Sequence, residues 1–442
     1  MNSLTIEHNT VSLLRFSFPS IISLLCMSCY EMVDGVFVAN FVGADAMASI
    51  NIVYPLISLI VGFSIMLSTG GSAIIAKKLG EKKEQEAREN FTLIILSGIA
   101  AGIACIVVDF LFMRDIVVLM GGTQRLFQYA YDYIFILTLA TPFAVLQVLF
   151  MTFFVTAGKP NLGMLLTIIS GVTNIILDYV FMGLMDMGIE GAALGTAAGY
   201  MVPSVTGMIF FWKNTNGLLF LVRPKWNGRM LLRACSNGMS EMVSNLASAI
   251  TTLIYNYKML YYAGEDGVAA ISIILYAQFL LSAVYLGFSS GVAPVVSYNY
   301  GSRNTVQLQR IFRICMGTIA AVSLATVAAS YLLGDFIIEV FSPKGTHVFE
   351  LAKSGFLIFA VSFLFAGFNI YVSALFTALS NGLISAIISF LRSFVLLIGC
   401  LLLLPLFLGV TGVWLAVPVA ETATLLISAA FLAAKRKQYQ YW

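Results

Sequence analysis

Residues 43–82 read GADAMASINIVYPLISLIVGFSIMLSTGGSAIIAKKLGEK, and residues 264–303 read GEDGVAAISIILYAQFLLSAVYLGFSSGVAPVVSYNYGSR. The two stretches align without gaps at a constant shift of 221 positions (264 − 43). Gly43 meets Gly264, Asp45 meets Asp266, Ser68 meets Ser289, Gly70 meets Gly291 and Gly80 meets Gly301. The same shift carries Thr156 and Ala157 onto Thr377 and Ala378, and the glycines of a turn, Gly188 and Gly191, onto Gly409 and Gly412. The chain is a tandem duplication over nearly its whole length.

What is duplicated follows from composition. Of 442 residues, 60% are hydrophobic and only 10% are charged, where a soluble domain carries about 25% charge. Apolar runs of about twenty residues, each able to cross ~30 Å of hydrocarbon, recur along the chain. Twelve lie near 12–40, 47–76, 91–113, 131–157, 161–184, 189–212, 234–260, 267–297, 311–333, 352–379, 382–408 and 411–434. This predicts an all-α membrane protein with six spans per repeat. Six is even, so the second repeat enters the membrane from the same side as the first and the repeats run parallel. Such pairs place a site between two lobes and alternate access by moving one against the other. The expected layout is a V of lobes over 1–212 and 234–442 around a central cavity, joined by a basic linker over 213–233. No cleavable signal is visible, so the first run is expected to remain as an anchor.

Basic residues orient the bundle. With the N-terminus in the cytoplasm, eighteen of the 24 Lys and Arg fall inside, among them Lys77, Lys78, Lys82, Lys83, Lys213, Arg223, Lys225, Arg229, Arg233, Arg303 and Lys435–Lys437. Arg114, Arg125, Lys344 and Lys353 remain outside. The asymmetry predicts a cytoplasmic (inner) membrane protein with both termini cytoplasmic. The net charge of +3 is then a topology signal, and no nucleic-acid partner is expected.

Ionisable residues inside a bilayer are costly and mark functional sites. Those well inside the runs are Glu31, Asp34, Asp178, Glu241, Arg392 and Glu421. Asp34 on the first span has Tyr30 one turn before it, and Asn174 and Asp178 share a face of the fifth. Both aspartates lie about 9 Å below the outer end of their helices, and Thr196 of the sixth span about 10 Å below it. Each carboxylate could be an end cap taken singly. Two in one layer, with polar neighbours, favour a shared proton or cation site. On the seventh span Glu241, Asn245, Ser248, Thr252 and Tyr255 make a polar stripe, and on the tenth Asn369, Ser373 and Thr377 make another. Each stripe reads equally as cavity lining or as packing glue, and the cavity or substrate candidates are Glu31 of the first span with Glu241, Asn245 and Asn369. Arg392 and Glu421 lie about 16 and 15 Å into consecutive helices, which predicts a structural ion pair.

Six cysteines are scattered through apolar runs and only His8 and His347 are present, so no metal or redox site is expected. No Walker loop, HExxH or GxSxG occurs, so neither an enzyme nor an ATP-driven pump is expected, and no cofactor.

The stretches MVDGVFVANFVGADAMASINIVYP, STGGSAIIAKKLGEK, TAGKP, TNIILD, GAALGTAAG, SYNYGSRN and TGVWLAVPVAE occur in an order that resembles the MATE (multidrug and toxin extrusion) transporters, bacterial branch. The resemblance covers the full chain. It implies a secondary antiporter, expected to be a monomer in lipid, that expels small amphipathic cationic drugs in exchange for Na⁺ or H⁺. It also implies cation coupling at Asp34, Asn174, Asp178 and Thr196, with Tyr30 beside them, and any Na⁺ there. Some members use acids in the seventh and tenth helices; here the tenth has Asn369 and no acid. The alternative is a flippase of the related superfamily moving lipid-linked precursors, but Arg392 is the only deep cation, too little for an anionic lipid-pyrophosphate.

Overall fold

The structure, a computed structural model, describes residues 4, 6–120 and 123–442. Twelve membrane-spanning helices account for nearly all of them, and the chain is a multi-pass membrane protein. The first lobe comprises α1 (Thr10–Val42), α2 (Asp45–Gly80), α3 (Glu84–Leu119), α4 (Phe127–Thr156), α5 (Pro160–Leu184) and α6 (Gly188–Lys213). The second comprises α7 (228–263), α8 (265–301), α9 (Thr305–Glu339), α10 (347–378), α11 (Gly382–Leu408) and α12 (Val410–Tyr439). A break splits α10 into His347–Ala360 and Phe363–Ala378, bent by 53°. We call the side of the bundle carrying both termini proximal and the opposite side distal.

The duplication is visible in three dimensions. α7 and α8 turn at the single residue Gly264, at φ 65° and ψ −157°, where a side chain would be strained. Its mate Gly43 turns between α1 and α2 at φ 111°. Just past each turn an acid ties the helix start to a neighbour: Asp45 to Arg125, and its mate Asp266 to His347, both at 2.8 Å.

The lobes clasp each other at the proximal side through glycines. A Cβ at Gly80 would strike the Tyr298 carbonyl, and a Cβ at the mate Gly301 would strike the carbonyl of Lys77, the mate of Tyr298. Gly70 meets Ala234 and Gly238, while its mate Gly291 meets Ser17, the mate of Gly238. Close backbone approach of this kind is how helices associate where lipid supplies no hydrophobic drive. The helix starts cross over as well. Leu13 and Phe16 of α1 join the buried cluster of α8 and α9, and Met230 and Ala234 of α7 join that of α3 and α4.

The connection between the lobes is 214–227, shorter than the sequence implies: α7 starts at Gly228, capped by the Asn227 side chain on the Met230 N–H, so Arg229 and Arg233 lie on its first turns. The connection is stapled to α3. Arg88 donates to the Leu218 carbonyl (3.1 Å) and covers the Phe220 ring, the Val222 N–H donates to Thr92 Oγ1 (3.1 Å), and Lys225 pairs with Glu89 (3.0 Å).

Candidate functional site

The α-helical part of α1 ends at Phe37 and that of α5 at Asp178, and each continues in a wider π turn, Val38–Val42 and Tyr179–Leu184. Such turns favour functional positions because they interrupt the regular hydrogen-bond ladder. Asp34 lies one turn before the first and Asp178 directly before the second. The two carboxyl groups are near neighbours, each acting on the charge of the other. Asp178 and Asn174 are buried, Asp34 is half-buried and Glu31 is exposed.

Glycines of α6 make room for this layer. A Cβ at Gly195 would collide with Asp178 Oδ1, and one at Gly199 would sit 3.3 Å from the Asn174 Cβ. Ser170 Oγ fastens the crossing by donating to the Gly199 carbonyl at 2.7 Å. Thr196 follows Gly195 and lies beside the hydroxyl of buried Tyr133 on α4. Tyr30 packs its ring on Gly171 of α5, where a Cβ would come within 2.7 Å of Cδ1, and neighbours the buried Gln147 of α4. The structure thus brings together Tyr30, Asp34, Asn174, Asp178 and Thr196, and adds Tyr133 and Gln147.

Their hydrogen bonding is incomplete. Asp34 Oδ1, Asn174 Oδ1, both Asp178 carboxylate oxygens, Thr196 Oγ1 and Gln147 Oε1 are buried without a hydrogen-bond partner. A buried acceptor without a donor costs about 1–3 kcal/mol, and more for a charged one. Two acidic side chains, an amide and a hydroxyl, all offering oxygen, suit a proton or a hard monovalent cation. Among the described residues no group of three His, Cys, Asp or Glu side chains is arranged to hold a metal.

The second lobe is built differently. Arg392, in the π turn Leu391–Leu396 of α11, donates from Nε (2.8 Å) and Nη2 (2.7 Å) to Glu421 Oε1. Glu421 Oε2 accepts from Asn369 Nδ2 at 2.7 Å, and Asn369 Oδ1 accepts from Ser428 at 3.0 Å. Asn369 is fully buried. As a candidate for the substrate cavity it therefore needs correction: its amide is committed on both ends inside the lobe. The rest of its stripe also turns inward, with Ser373 and Thr377 each 2.8 Å from Ser385 Oγ. Glu241 is partly exposed on α7 and feels the charge of Arg392. Asn245 packs at the lobe interface, 3.5 Å from where a Cβ of Gly62 would be. One buried carboxylate escaped the sequence reading: Asp109 of α3, which accepts from Thr138 Oγ1 at 3.0 Å.

Comparison with known proteins fits this geometry. The MatE family model matches residues 19–180 and 232–402. The multidrug export protein MepA of Staphylococcus aureus is 23% identical over 418 residues, covering 93% of this chain and 90% of its own. MepA of Staphylococcus saprophyticus is 23% identical over 419 residues, with the same coverage. A multidrug resistance MATE family transporter of the MOP superfamily, solved in an outward-facing conformation, superposes with a TM-score of 0.91 at 20% identity over 98% of both chains. A MOP superfamily transporter from Pyrococcus furiosus does so with 0.91 at 20% identity over 98% of this chain and 97% of its own.

Proposed function

The chain belongs to the MatE family, and on that premise we propose that it is a secondary antiporter exporting small amphipathic organic cations across the cytoplasmic membrane in exchange for Na⁺ or H⁺. Both termini, and with them the proximal side, lie in the cytoplasm, and the monomer is the working unit. The observation that carries the reading is the neighbouring pair Asp34–Asp178, in which Asp34 Oδ1 and both Asp178 carboxylate oxygens are buried without a donor.

Two carboxylates at that distance repel in a medium of low dielectric, and one proton or one Na⁺ between them relieves the repulsion. The bound ion draws α1 toward α5 and α6; its release lets α1 relax away. Asp34 sits on α1 beside the exposed Glu31, so a shift of α1 alters the wall that faces the other lobe. An organic cation held there by Glu31 and the aromatic rings nearby is disfavoured when the ion is bound, and the reverse holds by linkage. The ion shifts the conformational balance only by its differential affinity for the two states. An anionic lipid-linked cargo fits poorly, because Arg392 is already neutralised by Glu421.

The test is flux in proteoliposomes carrying the purified chain, with Na⁺ and H⁺ gradients imposed separately and ethidium or tetraphenylphosphonium as cargo. Uphill movement driven by one gradient is the expected result. Cargo movement indifferent to both gradients would overturn the proposal.

A further inference from the structure

Five cations stand at the proximal ends of α6 and α7: Lys213, Arg223, Lys225, Arg229 and Arg233, all exposed. They are not equivalent. Lys225 is held by Glu89 at 3.0 Å. Among the described residues the other four form no ion pair or side-chain hydrogen bond. The chain doubles back between them: the Leu221 N–H donates to the Phe211 carbonyl at 2.9 Å. Arg229 and Arg233, one turn apart, share a face of α7. Two indole rings flank the group, Trp212 at 70% exposure and Trp226 at 82%.

From this arrangement we propose that the α6–α7 elbow is a binding surface for anionic phospholipid headgroups of the phosphatidylglycerol type. Charge selects the partner, because four unpaired cations seek phosphodiesters. Position selects a lipid over a soluble anion, because the cations stand where two membrane spans end. Exposed tryptophans anchor at that level, with the ring in the acyl boundary and the N–H among headgroups. The elbow is stapled to α3 of one lobe and leads directly into α7 of the other, so lipid held here bears on the hinge between lobes. The inference rests on the membrane reading of the bundle and is independent of antiport; failed flux would leave it standing.

The experiment is native mass spectrometry of the full chain released from micelles containing equal phosphatidylglycerol and phosphatidylcholine. Wild type is expected to retain phosphatidylglycerol in preference. Each of K213Q, R223Q, R229Q and R233Q should weaken that retention by roughly fivefold, at about 1 kcal/mol per charge near a surface. R223K should retain it, and R114Q, on the distal side, should leave it unchanged. Equal retention of both lipids by wild type, loss in R114Q as large as in R223Q, or displacement of the lipid by equimolar inorganic phosphate or a short oligonucleotide would each overturn the proposal.

Discussion

Aligned through the shift of 221 positions, the two lobes share six spans, turns and clasp contacts but not a charge plan. Asp34 corresponds to Tyr255 and Asp178 to Gly399; Arg392 corresponds to Gly171 and Glu421 to Tyr200. Glycine turns and clasp contacts are kept in both copies, whereas no carboxylate or guanidinium of either interior has a charged mate. The first lobe sets acid against acid and leaves buried oxygens of both without donors. The second sets acid against guanidinium and spends the remaining oxygen on Asn369. The Arg392–Glu421–Asn369 network is saturated, whereas the Asp34–Asp178 layer keeps acceptors to spare. In the antiport proposed above, the saturated network makes the second lobe the fixed half and the open layer makes the first the responsive half.

The largest expected effect strikes the responsive half. Asp34→Asn and Asp178→Asn should each bring gradient-driven efflux to background while the protein remains folded and inserted. Measured in the same proteoliposomes, a D34N chain with wild-type ion dependence would erase the distinction between lobes.

Next comes the fixed half. Removing one member of a buried ion pair strands the other, at about 3–5 kcal/mol. Arg392→Gln and Glu421→Gln alone should therefore lower the melting temperature sharply, and R392Q/E421Q together less than the worse single change. Thermal melting in detergent reads this directly. A double variant no better than the worse single would mean that the pair is not the unit holding α11 to α12.

A smaller effect sharpens the comparison at matched positions. Gly195 corresponds to Ala416, so the second lobe already tolerates the methyl group that the first excludes. Gly195→Ala should press on Asp178, reduce ion-driven efflux by roughly tenfold, and cost about 1–3 kcal/mol of stability through overpacking. Unchanged flux would show that α6 is free to give way.

Much of this was legible from sequence because helical geometry is predictable along its axis. Six apolar runs per repeat located the spans, and 1.5 Å per residue put Asp34, Asn174, Asp178 and Thr196 at one depth and Arg392 with Glu421 at another. Depth says nothing about azimuth. The stripe of Asn369 therefore reads equally as cavity lining or packing glue until the fold turns it to the lobe interior. Tyr133 and Gln147 escape a sequence reading because neither residue type stands out in a membrane helix. The part played by Gly195 needs the α5–α6 crossing, which no local pattern encodes. Asp109 was visible as an acid within an apolar run and was passed over; its partner Thr138 lies on the next helix.

The glycine clasp has a further consequence. Gly80 touches the mate of Lys77, and Gly301 touches Lys77 itself. Contact exchanged in this way is the mark of an isologous interface, the kind that joins two identical subunits about a twofold axis. The molecule is in this sense a dimer whose protomers were fused head to tail, with 214–227 as the covalent thread. Fusion released each protomer from the symmetry that identical chains impose. A substitution in one half no longer appears in the other, so one copy was free to gather acids while its twin closed around an arginine.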